Sequence, residues 1–173
     1  MNQSKVIKTT LEQIINYWVI RIDESELSID FSEANERCWR CAYKSKLDRC
    51  HIIPASLGGL DDPSNLVLLC RRCHVEAPNI KDKNFFWDWL KASKVSFYDT
   101  YWTIRGMQEY EFIYKETFEK SVLRLGIKQE DFDKFLEEKT DFFTIHFGEG
   151  RVNPSTIAGI FRSFIMSVSI DKT

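Results

Sequence analysis

Two pairs of cysteines at Cys-x-x-Cys spacing, Cys38/Cys41 and Cys70/Cys73, bracket a stretch of 28 residues. Two thiolates at that spacing grip one tetrahedral ion at about 2.3 Å each, and two such pairs complete a four-sulfur site. The chemistry this points to is a structural Zn2+. A redox-active pair would need a βαβ unit beside it, and the pattern supplies none. Cys50, the fifth cysteine, stands outside the set. Between the pairs and just beyond them lie three polar side chains with a chemistry of their own: His51, Asn65 and His74.

The elements that must position these groups are small. Leu47 to Ile53 and Leu66 to Leu69 read as two short strands, joined by a Gly-rich turn from Pro54 to Asn65 that contains Gly58, Gly59 and Asp61-Asp62-Pro63. Arg71-Arg72-Cys73 then leads into a helix, which Pro78 should cut to about one turn. A unit of this size cannot bury enough apolar surface alone, so zinc closing both ends supplies the missing order.

The flanks read as helical. Ile7, Leu11, Ile14, Ile15, Trp18 and Ile22 recur at helical steps over Thr9 to about Ile22, and Thr10 with Gln13 matches a capping box. Asp23 to Glu36 reads as an acidic connector. Phe85 to Lys94 is a short helix loaded with Phe85, Phe86, Trp87 and Trp89, assigned to core packing rather than base stacking. Tyr101 to Leu125 reads as one long helix ended by Gly126, and Glu130 to Phe147 as a second, closed by Gly148 and Gly150. Asn153-Pro154-Ser155 opens a last helix carrying Ile157, Ile160, Phe161, Phe164, Ile165 and Val168. His146 stands alone in this half and is read as structural or exposed. The expected class is α+β, mainly α. Its parts are an N-terminal helix and connector (1–36), a zinc-knuckle module (37–95) and a helical C-terminal region (96–173).

The chain of 173 residues carries a net charge of -2, which argues against a polycationic coat for nucleic acid. The charge is uneven, however. Arg37 to His74 holds Arg37, Arg40, Lys44, Lys46, Arg49, Arg71 and Arg72 against Asp48, Asp61 and Asp62. A locally basic patch on an acidic protein fits a focused phosphate site. Met1 to Thr10 is polar and no run nears the roughly 18 apolar residues of a membrane span. The expectation is a cytoplasmic protein with no membrane partner, in a reducing compartment where cysteines serve metal rather than disulfides.

His51-Ile52-Ile53-Pro54, Gly58-Gly59, Asn65-Leu66 and Cys70-x-x-Cys73-His74 together resemble the HNH endonuclease family, over Cys38 to about Pro78. The resemblance implies a ββα-metal finger stapled by the four-cysteine zinc site, and DNA as partner. It implies His51 as general base, Asn65 as the residue that pins the loop and orients His51, and His74 as ligand of a catalytic divalent ion, Mg2+, Mn2+ or another transition metal. Two residues depart from the family pattern. Pro78 shortens the helix that normally follows, and Cys50 stands where an acidic or imidazole ligand often precedes the base. A thiol is a poor partner for Mg2+. The alternatives are a softer ion, substitution by Asp48 or another carboxylate, water in the vacant place, or a reduced activity. Arg49, Arg71 and Arg72 are the candidate phosphate contacts, with solvated charge as the competing reading. Cutting both strands with one finger per chain calls for a homodimer, for which the helical region is the candidate. The competing functional class is a non-catalytic zinc module that binds nucleic acid or a protein partner, and Cys50 is the residue that favours it.

Overall fold

The computed structural model describes residues 7–138, 143–144 and 152–170. The chain divides into two compact units, Met1–Tyr101 and Trp102–Thr173. The α+β, mainly helical class expected from the sequence is the class observed.

In the first unit the centre is a two-stranded antiparallel sheet, β1 (Leu47–His51) and β2 (Leu66–Cys70), with Leu47 opposite Cys70 and His51 opposite Leu66. Every residue of β2 is buried, whereas β1 is half-exposed apart from Cys50. Two strands alone do not hold together in water, so the neighbours supply the cover. Helix α1 (Leu11–Trp18) starts at Thr10, whose hydroxyl accepts from the Gln13 N–H while the Gln13 side chain accepts from the Thr10 N–H. That is the capping box expected from the sequence, although the helix ends at Trp18 rather than near Ile22. The Trp18 indole N–H donates to the Leu66 carbonyl at 2.8 Å, and its ring meets Trp87 edge-on at 4.8 Å.

The connector after α1 is built from two 3-10 turns, Glu24–Glu26 and Phe31–Glu33, which bring Leu27, Ile29 and Ala34 into the core. Trp39, fully buried, anchors the first cysteine knuckle: its N–H donates to Leu68 O at 3.0 Å and its indole to Ala34 O at 3.1 Å. Helix α2 (Arg71–Val75) follows β2 directly and ends before Pro78. Helix α3 (Lys83–Lys91) begins at Asp82, whose carboxylate accepts from the Asn84 and Phe85 N–H groups. Phe86 and Leu90 of α3 are core residues, while Phe85 is exposed.

Among the described residues the elements that follow are all helices: α4 (Tyr101–Tyr114), α5 (Phe118–Leu125), α6 (Gln129–Glu138) and α7 (Pro154–Ile170). Here the sequence reading of one helix from Tyr101 to Leu125 is corrected, because the chain breaks between Tyr114 and Phe118. Lys115 adopts a left-handed backbone (φ 56°), and the Thr117 side chain then caps α5 by accepting from Lys120 N–H. The break turns Phe118 back onto Tyr110, with ring centroids 5.8 Å apart, so both enter one core. Phe161 of α7 stacks on Phe118 at 4.1 Å, and Phe164 packs against Phe132 and Phe135. A Cβ on Gly106 would sit 2.2 Å from the Ile157 side chain, so α4 and α7 meet where only glycine fits. Gly126 ends α5 in a left-handed conformation (φ 61°), as its place in the sequence suggested. The expected extension of α6 to Phe147, its closing Gly148 and Gly150, and His146 lie outside the described residues.

Candidate functional site

The sulfur site is assembled from two tight turns. Arg37 and Lys44 form a bridge that closes the first, and inside it Ala42 takes a left-handed backbone (φ 63°) with its N–H on Cys38 O at 2.8 Å. The second knuckle joins a strand to a helix: Cys70 ends β2 and caps α2, and Cys73 lies in the first turn of α2. All four cysteines are buried, and their sulfurs lie within 4.8 Å of one another. For a tetrahedral ion with metal–sulfur bonds of about 2.3 Å, the sulfur–sulfur edge is about 3.8 Å. Cys41 Sγ and Cys70 Sγ are 3.8 Å apart. The donor set and its spacing therefore fit zinc.

Crowding of the four sulfurs shifts their acidities in opposite directions. Burial pushes the Cys38 thiol up, and hydrogen bonds among the sulfurs push Cys73 up while holding Cys70 down. Four thiolates in this space need a cation between them. Arg40, inside the first knuckle, is buried beside them. Its guanidinium lies 4.2 Å over the Trp89 ring and 2.5 Å from a Glu76 carboxylate oxygen. The sequence reading counted Arg40 only as a local charge; its burial against α3 was not visible there.

The hairpin turn is organised by Asn65. Its Oδ1 accepts from Ile53 N–H at 2.9 Å, and its Nδ2 donates to Ile53 O at 3.0 Å and Leu60 O at 3.1 Å. The Asn65 carbonyl accepts from Ile52 N–H at 2.8 Å. A side-chain amide thus completes a ladder where the backbone has turned away, directly behind His51. Gly59 is required by the same arrangement, since a Cβ there would stand 1.7 Å from Ile53 O.

His51 is half-buried at the end of β1. Burial lowers its basicity, the Asp61 carboxylate works against that, and the charge of His74 lowers it further. The two imidazoles, 23 positions apart in sequence, are therefore brought within electrostatic reach of one another. Asp61 is itself tied down, accepting from the N–H groups of Lys8 (2.5 Å) and Thr9 (3.3 Å), which hold its carboxyl below the usual range. Sequence reading missed this contact between the N-terminal segment and the turn; no periodicity signals it.

His74 sits on the single turn of α2, with Nδ1 3.1 Å from Asp48 Oδ2. Cys50 is 2 % exposed, and burial, with a smaller contribution from Asp48, pushes its thiol up to about 12. Its sulfur is buried, 3.6 Å from the His51 carbonyl oxygen. Of the three arginines, Arg71 is the open one, 80 % exposed and 3.8 Å from Asp48 Oδ2. Arg49 donates to Thr9 O at 3.0 Å, and Arg72 is half-buried. Among the described residues no helix is long and apolar enough to cross a membrane.

Residues 36–79 match the family model described as HNH endonuclease. No curated protein and no solved structure matches the chain. The finger that carries His51, Asn65 and His74 is thus the part of this chain, residues 36–79, that is similar to the HNH endonuclease family.

Proposed function

We propose that the protein is a metal-dependent endonuclease that hydrolyses DNA phosphodiester bonds. The observation that carries the reading is a half-buried His51, its basicity lowered by burial, at the end of β1 on a finger whose four sulfurs cluster and whose helix α2 carries His74. A neutral imidazole at physiological pH is the state a general base requires. His51 takes a proton from water as the water oxygen attacks phosphorus, and the 3′ oxygen leaves with the electron pair of the broken bond. Asn65 holds the turn behind His51 and reaches no substrate, since its amide is spent on Ile53 and Leu60. Arg71, the exposed guanidinium, holds a phosphate oxygen of the DNA. A divalent ion held through His74 would supply polarisation of the phosphate and charge stabilisation of the departing oxygen.

The rest of the chain serves this module. Lys8, Thr9 and helix α1 brace the turn and β2, residues 37–95 form the nuclease module, and the helices α4 to α7 pair two copies for cutting both strands. A zinc module that binds without cleaving is the second reading, favoured by Cys50 in place of an oxygen or imidazole ligand. Plasmid nicking with Mg2+, Mn2+ and Ni2+ in turn separates the two. Nicking under at least one ion, abolished by excess chelator, supports the enzyme. Duplex binding with no nicking under any ion supports the binding module.

A further inference from the structure

Building on the nuclease reading, we infer that Asp48 replaces the residue before the base as the second ligand of the divalent ion, forming with His74 a site displaced two residues along β1. Side chains two positions apart on a strand project from the same face, so Asp48 and Cys50 share one face of β1. His74 meets that face at Asp48. The ligand atoms are already spaced for an ion. Neighbouring ligands in octahedral coordination at about 2.1 Å stand about 3.0 Å apart, and Asp48 Oδ2 lies 3.1 Å from His74 Nδ1. Both side chains are about one-third exposed, at 32 % each, so an ion and its waters can reach them.

Cys50 has neither property. It is sealed in the core, and its sulfur lies 3.6 Å from the His51 carbonyl. Arg71 Nη1, 3.8 Å from the same Asp48 oxygen, balances the carboxylate when no ion is present and is open enough to swing to phosphate when one arrives. A carboxylate with an imidazole suits Mg2+ and Mn2+, hard or borderline ions that take oxygen and nitrogen and leave other positions to water. The substitution of Cys50 for an oxygen ligand therefore moves the metal site without abolishing it.

The test is Mn2+ binding to the full, zinc-loaded chain, followed by calorimetry and by loss of the free-ion electron paramagnetic resonance signal. Zinc content serves as the control for folding. Asp48→Asn keeps an oxygen opposite His74 Nδ1, so it preserves a merely orienting hydrogen bond while removing the charged ligand. The expected result is one Mn2+ per chain in the wild type, an affinity about tenfold to a hundredfold weaker in Asp48→Asn, and Cys50→Ala within twofold of wild type. Wild-type affinity in Asp48→Asn, loss of binding in Cys50→Ala, or no Mn2+ bound by the wild type each overturns the inference. Nicking read in the same samples keeps the two proposals apart. Mn2+ held through Asp48 without any cleavage sinks the nuclease and leaves the site standing; cleavage that survives in Asp48→Asn at wild-type affinity does the reverse.

Discussion

The two units of this chain solve the problem of order by different means. In the second, four helices bury an aromatic cluster, in which Phe118, Phe132, Phe135, Phe161 and Phe164 contact one another ring to ring. In the first, the finger rests on two five-residue strands, a helix of five residues and a pinned turn. Apolar burial orders both, with Trp39, Ile52, Leu66, Leu68, Phe86 and Leu90 sealed in the first; there four sulfurs and a side-chain amide are added to it. The difference teaches where function can sit. The aromatic unit brings together no cluster of metal-ligating side chains among its described residues, whereas the finger holds its polar groups at the edge of a fully buried strand, fixed by the sulfur cluster and the Asn65 amide.

Metal removal breaks the comparison most sharply. Stripping zinc, or replacing Cys73 with Ser, is expected to cost the finger on the order of 10 kcal/mol. Hydrogen exchange should then show residues 38–74 losing protection while residues 102–125 keep theirs. Phe161→Ala is the mirror experiment. It removes the ring stacked on Phe118 at 4.1 Å and is expected to cost about 3 to 5 kcal/mol, seen as an early helical melt with zinc content unchanged. Asn65→Ala removes the buried amide, 4 % exposed, that pairs the Ile53 N–H and the Ile53 and Leu60 carbonyls. A loss of about 1 to 3 kcal/mol is expected, read as a lower unfolding midpoint together with reduced cleavage, since the turn behind His51 loosens.

A pH profile sharpens the same contrast at the site itself. Burial lowers the His51 pKa from its ordinary 6.5, so the neutral, proton-accepting form persists into mildly acidic solution. Cleavage should hold steady as pH falls toward that value and drop only below it, as protonation removes the base. A midpoint above 6.5 would mean that Asp61, rather than burial, dominates the environment of His51.

What the sequence made legible follows the same division. The knuckles, the hairpin, the Thr10 capping box and the Gly126 cap are local patterns in which residue type and spacing carry the physics, and each stands where the sequence puts it. The short helix under His74 was legible too, from Pro78 alone. The break at Lys115 to Thr117 was not, because the apolar period runs through it unchanged; only the gain from folding Phe118 onto Tyr110 and Phe161 decides against a continuous helix. Asp48 beside His74 was legible as a candidate carboxylate for the same ion, but the Asp61–Lys8 contact was invisible. It joins segments 53 residues apart, and no local signal reports a pairing that tertiary packing creates.

The most direct test of the central claim is single-turnover cleavage of a labelled duplex by wild type and His51→Ala at equal, saturating Mn2+. If His51 is the base, the variant should cleave about a hundredfold to ten-thousandfold more slowly, with zinc content and duplex affinity unchanged. Equal rates from the two proteins would contradict the account.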